Sequence, residues 1–147
     1  MDSQKIDQYC KVLAASPIFK GLATPALEGL VQAGSIVETQ AGKFVLVEKG
    51  WVPGIFILVE GSAGVLKNSA EIHILQPGAF FGELSLFGLS EGASASIQAK
   101  EKTACLLINA SALDSWSKAF PDAERVFLRQ MCTELGRRLL STSKKLT

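Results

Sequence analysis

The chain has 147 residues, a formal net charge of +1 and 48% hydrophobic residues. That is enough to bury most of its apolar surface in one folded unit. The near-neutral balance excludes the electrostatic footprint of a nucleic-acid binder, and no apolar run is long enough to span a bilayer.

In chain order, Ile6, Tyr9, Cys10 and Leu13 recur at helical spacing, and Ser16-Pro17 ends that pattern. A second helix fits Thr24 to Ala33, with Thr24 as N-cap, Pro25 at the first helical position and Gly34 closing it. From Ser35 the period changes to short runs rich in β-branched and aromatic residues. Strands are expected at 36–39, 44–47, 54–59, 64–67, 71–75, 94–99 and 102–108, with a tight hairpin at Asn68-Ser69. Strands at this regular spacing imply a sandwich or barrel. Helical spacing returns at Ala110 to Lys118 and again after Phe120-Pro121. There Asp122 and Glu124 suit a helix N-terminus, and Arg137, Arg138, Lys144 and Lys145 suit its far end. Val126, Phe127, Gln130, Met131, Leu135, Arg138, Leu139 and Thr142 form a stripe along this last helix. The organisation is one unit, 1–147, with N-terminal helices over 1–34, strands over 35–109 and C-terminal helices over 110–147.

Cys10, Cys105 and Cys132 are too widely spaced for a zinc or iron–sulfur cluster and are expected to be small buried hydrophobes. The start, Met1-Asp2-Ser3-Gln4-Lys5, lacks a basic-then-apolar signal, so a cytoplasmic protein is expected. A single histidine cannot build a multi-histidine metal site, and no Ser–His or Cys–His arrangement stands out. The expectation is a non-catalytic protein without a metal.

The stretch Gly78-Ala79-Phe80-Phe81-Gly82-Glu83-Leu84-Ser85-Leu86-Phe87 places one carboxylate among apolar neighbours, behind a glycine. Glycine permits positive φ and close approach of another molecule. A short helical turn from Glu83 would aim free N–H groups at an anion, with the carboxylate able to accept from a sugar hydroxyl.

Phe81 to Phe87 resembles the phosphate-binding cassette of cyclic-nucleotide-binding domains. The family pattern is Gly-Glu-Leu-small-Leu and, ten residues after the Glu, an Arg followed by Ser/Thr or Ala and Ala. The likeness extends from about Pro17 to the end of the chain. Phe19 and Leu22 are similar to the docking turn, Glu48-Lys49-Gly50 to the Glu-Gly-Asp turn, and Ile55 to Ser62 to the strand ending in Gly-Ser. The resemblance implies a mainly β fold, a double-stranded β-helix jelly roll with two N-terminal helices and a long C-terminal helix. It also implies a cyclic nucleotide as ligand, cAMP in the first place and cGMP as the alternative.

Carried over, Gly82, Glu83 and Leu84 open the cassette, with Glu83 on the ribose 2′-hydroxyl, and Ser85 fills the small position. Ser94 and Ala95 follow the Arg position, which is Ala93 here. The family Arg makes a bidentate pair with the phosphate, and losing such a pair where it is buried costs roughly 2–5 kcal/mol. No basic residue lies between Glu83 and Lys100, and Glu91 adds negative charge, leaving Lys67 or Arg138 to substitute from elsewhere. Gly136 to Lys145 resembles the long-helix segment of the bacterial cAMP receptors. By that likeness Arg138 approaches the phosphate, Thr142 and Ser143 meet the base, and the helix pairs with its copy in a homodimer. His73 falls on a strand position facing the base, where a charged imidazole would strengthen binding at low pH, and Val65 falls on an apolar wall. The resemblance implies a sensor domain of a larger signalling protein. The alternative is a degenerate domain that no longer binds nucleotide and serves as a dimerisation or docking module. Relatives continue into a DNA-binding helix-turn-helix, whereas this sequence stops at Thr147, so it is expected to contact no nucleic acid itself.

Overall fold

The structure, a computed structural model, describes residues 2–86, 88 and 92–146, with side chains for all of these except 85, 86 and 142–146. Five helices and eight strands are present among the described residues.

Helix α1 spans Ser3–Ala15, and the Asp2 carboxylate accepts the Lys5 N–H at 2.8 Å as its N-cap. Tyr9, Cys10 and Leu13 are its buried face. Helix α2 spans Thr24–Ala33. Its N-cap is Ala23 rather than Thr24, and no side chain caps it. The reason is local: Pro25 brings no N–H, and the Ala26 N–H goes to the Ala23 carbonyl at 3.0 Å. Gly34 closes the helix in an extended conformation, not a left-handed one.

The strands are β1 (Ser35–Thr39), β2 (Phe44–Leu46), β3 (Ile55–Glu60), β4 (Ala63–Lys67), β5 (Ala70–Leu75), β6 (Phe80–Phe81), β7 (Ser96–Ala99) and β8 (Thr103–Ile108). They form two antiparallel sheets, β1-β8-β3-β6 and β2-β7-β4-β5. This is the expected jelly roll. Asn68 and Ser69 both have positive φ, 52° and 68°, which joins β4 to β5 in a two-residue turn of the hand that matches strand twist.

Strand β3 shows why one run is apolar throughout. Ile55, Ile57 and Val59 face the helices, whereas Phe56 and Leu58 face the inside of the roll. Strand β8 divides the same way, with Ala104, Leu106 and Ile108 outward and Cys105 inward. The first sheet is therefore covered on both faces. Each fully buried large apolar side chain in these layers contributes about 1.5–3 kcal/mol.

Helix α3 is the single turn Glu83–Leu86, α4 spans Ala110–Ala119, and α5 spans Pro121–Leu146. Asn109 caps α4 through the Ala112 N–H at 2.8 Å. Trp116 on α4 is buried and donates its indole N–H to the Ala26 carbonyl at 2.8 Å, which fixes α4 on α2. On α5, Phe127 and Met131 are buried, and Phe127 stacks on Phe19 with ring centroids 5.3 Å apart. The stripe then leaves the core, and Leu139 and Leu140 are exposed. Cys132 is exposed as well, contrary to expectation, because it sits on the outer side of α5 next to Met131. Cys10 and Cys105 are buried as expected. No described helix is long and apolar enough to cross a membrane.

Candidate functional site

Loop 76–79 is anchored before the chain reaches the cassette. The Gly78 N–H bonds to the Leu58 carbonyl at 2.8 Å, and the Leu58 N–H bonds to the Ala79 carbonyl at 2.9 Å. From the other side, the buried Ser16 hydroxyl donates to the Gly78 carbonyl at 2.8 Å. Strand β6 then pairs Phe81 with Phe56, and the two rings stack 5.1 Å apart. Gly82 turns the chain at φ 80°, and a Cβ there would lie 2.6 Å from the Gly54 carbonyl oxygen. Only glycine meets both demands. Helix α3 starts immediately afterwards with Glu83.

A cavity of about 380 Å³ opens beside this turn, within the usual range for small-molecule sites. Gly82, Glu83, Leu84, Ala93, Ser94, Val65, His73 and Arg138 all line it. Residues proposed from five separate stretches of sequence thus meet around one space. Val65 and His73 are directly opposed in the β4–β5 register, although His73 is exposed at this position. The Ser85, Thr142 and Ser143 side chains, with Phe87 and Glu91, lie outside what the structure describes. Lys67 is not part of the described lining.

Glu83 is 7% exposed. One of its carboxylate oxygens accepts from the Arg138 guanidinium at 2.9 Å, and that guanidinium lies 4.4 Å from the centre of the Phe80 ring. A carboxylate in so dry a place needs such a partner, and Arg serves well because its flat face stacks on an aromatic while its edge donates. Arg138 therefore faces Glu83 here.

The opposite wall is the segment entering β7. The Ala93 N–H donates to the Gly50 carbonyl at 2.9 Å, and the Lys49 N–H donates to the Ala93 carbonyl at 2.7 Å. The Glu48 N–H adds a bond to the Ser96 hydroxyl at 2.8 Å. A Cβ on Gly92 would meet the Lys49 carbonyl oxygen at 2.5 Å, so glycine lets the two backbones pass. Ala93 itself is 7% exposed, a methyl group closing the wall.

Sequence reading missed Glu134. It lines the cavity, is mostly buried, and pairs with Arg137. Its signal was available, because it lies four residues before Arg138 and so on the same face of α5. Away from the cavity wall, burial shifts the titration of three groups. Burial pushes the Cys105 thiol up to about 12 and raises Cys10 and Tyr9 above their ordinary values. Among the described residues, no group of three or more His, Cys, Asp or Glu could hold a metal ion.

The family model of the cyclic nucleotide-binding domain matches residues 36–119. A cGMP-dependent protein kinase of Eimeria tenella is 30% identical over 135 residues, which cover 91% of this chain and 13% of the kinase. This chain thus spans only a small part of that relative. The N-terminal domain of a transcriptional regulator from Streptomyces coelicolor A3(2) superposes with a TM-score of 0.75 at 23% identity, covering 90% of this chain and 95% of that one. The Thermus thermophilus Catabolite Activator Protein gives a TM-score of 0.75 at 24% identity, covering 89% of this chain and 62% of that one. With the jelly roll, the cassette turn and the family match in agreement, this chain belongs to the cyclic nucleotide-binding domain family.

Proposed function

We propose that this chain is a non-catalytic regulatory domain that senses a cyclic nucleotide, with its phosphate site altered at Ala93. One observation carries the reading: a nearly buried carboxylate, Glu83, stands on the wall of a ligand-sized cavity directly after the Gly82 turn. A ribose hydroxyl placed there would take over one acceptor of Glu83. Gly82 and Leu84 would contribute backbone contacts, Val65 and His73 would flank the base, and Ser85, Ser94, Thr142 and Ser143 would complete the polar contacts. The resemblance of the long helix to that of the bacterial cAMP receptors favours cAMP, and the likeness to a kinase named as cGMP-dependent favours cGMP.

The coupling device is the Glu83–Arg138 pair. A hydroxyl at Glu83 competes with Arg138, so the ligand changes how α5 is held over the cavity. A domain of this size, embedded in a larger cytoplasmic signalling protein, would pass that change onward along α5. A homodimer through α5 would carry it to a second copy.

A second reading is a docking module that has lost its ligand. It is favoured by Ala93 at the position where the family has Arg. Calorimetric titration with cAMP and with cGMP separates the two readings. The sensor takes one ligand per chain, whereas the docking module releases no heat at millimolar nucleotide.

A further inference from the structure

We infer that the cavity reads the sugar and the base of its ligand but not the phosphate, so that an uncharged purine nucleoside binds at least as well as the matching cyclic nucleotide. The inference rests on the assignment of Glu83 to the sugar.

Charge is the first ground. Among the described residues, the charged side chains lining the cavity are Glu83, Glu134 and Arg138, and Glu134 is paired with Arg137, which is not part of the lining. The Arg138 guanidinium is already paired with Glu83 and stacked on Phe80. A phosphodiester entering this space finds both guanidiniums already committed to carboxylates, Arg138 to Glu83 and Arg137 to Glu134, and has to compete with them for positive charge. A neutral ligand with a hydroxyl pair meets only acceptors and a donor.

The second ground is the wall where an anion would have to be held. From Leu84 to Ala99 the sequence has no Lys or Arg, and it has an acid, Glu91. At the family's Arg position the side chain is a buried methyl. Its backbone N–H and carbonyl are both engaged by the 49–50 turn, so Ala93 offers no main-chain donor. Lys49 touches this wall through its backbone N–H, but its side chain is exposed and is not part of the lining. Helix α3 is one turn of four residues, so it adds no macrodipole to the few N–H groups at its start. Apart from the Ser94 hydroxyl and the exposed His73 imidazole, the remaining walls, among them Val52, Val65, Phe81 and Ile97, are apolar, which suits a base and the carbon face of a sugar.

The test titrates the purified chain with adenosine, guanosine, cAMP, cGMP and the 2′-deoxynucleosides. The better nucleoside should bind within about threefold of its cyclic nucleotide or more tightly, and the 2′-deoxy form should bind at least about tenfold more weakly. Glu134→Gln, and separately Ala93→Arg, should each shift the ratio of affinities toward the cyclic nucleotide and away from its nucleoside by about threefold or more relative to the wild type. A cyclic nucleotide bound more than about threefold more tightly than its nucleoside overturns the inference and leaves the sensor reading standing. Loss of that advantage in Lys49→Ala would then name the cation that holds the phosphate. No binding of any of these ligands at millimolar concentration overturns the inference and the sensor reading together.

Discussion

At the scale of residues, the site depends on a few positions where one side-chain type is tolerated. Gly82→Ala has to accommodate a positive φ and a Cβ 2.6 Å from the Gly54 carbonyl oxygen. The expected loss is about 1–3 kcal/mol of stability, read from denaturant midpoints, with ligand binding weakened as the cassette shifts. Unchanged stability would show that this turn is not under constraint. Arg138→Ala leaves the nearly buried Glu83 without its guanidinium. Arg138 is itself about half exposed, so water can enter and the cost stays near the low end, about 1 kcal/mol. The cysteines give an independent check on packing. Burial holds the Cys105 thiol near pKa 12 and raises Cys10, whereas Cys132 is exposed. Because the thiolate is the reactive form, iodoacetamide at pH 8 should modify Cys132 first, as mass spectrometry of timed samples would show. Equal labelling of all three would contradict the core as described.

At the scale of elements, α5 does two jobs along its length. Its first half is a packing element, with Phe127 stacked on Phe19 and edge-on to Trp116, and Met131 below it. Phe127→Ala should cost about 3–5 kcal/mol, and a thermal melt that barely moves would argue against that packing. Its second half leaves the core and reaches over the cavity with Glu134 and Arg138. The strands were legible in the sequence because β-branched runs such as Ile55 to Val59 stand between glycines and prolines. Strand β6 was not, since two phenylalanines have no period to read, and only pairing with β3 makes them a strand. Thr24 was misplaced by one position because a threonine before proline looks like a cap until the Ala23 carbonyl is seen to take the Ala26 N–H. Cys132 was misjudged because it adjoins the buried stripe in sequence but faces away from it in the helix.

At the scale of the whole molecule, the layered core fixes how the chain's distant parts meet. The helices cover one face of the first sheet, and the roll's interior forms the second core, whose edge becomes the cavity wall. This explains how far the site was legible. Gly82, Glu83 and Leu84 announce themselves as a motif, and Arg138 came from likeness in the long helix. Glu134 and the Glu83–Arg138 pairing depend on where α5 lies over the roll, which no local pattern states. Exposed Leu139 and Leu140 continue the same helix beyond the core. Sedimentation should find a dimer that Leu139→Glu converts to monomer, and a monomeric wild-type chain would remove the dimer from the proposed coupling.

The central claim is that Glu83 receives the ligand. The direct measurement is calorimetric titration of the wild-type chain and of Glu83→Ala, side by side, with the same nucleotides and nucleosides. The account predicts saturable binding of one ligand per chain in the wild type and loss of that binding in the variant, with both chains folded by circular dichroism. Equal affinity in the two proteins would contradict it and move the ligand away from this carboxylate.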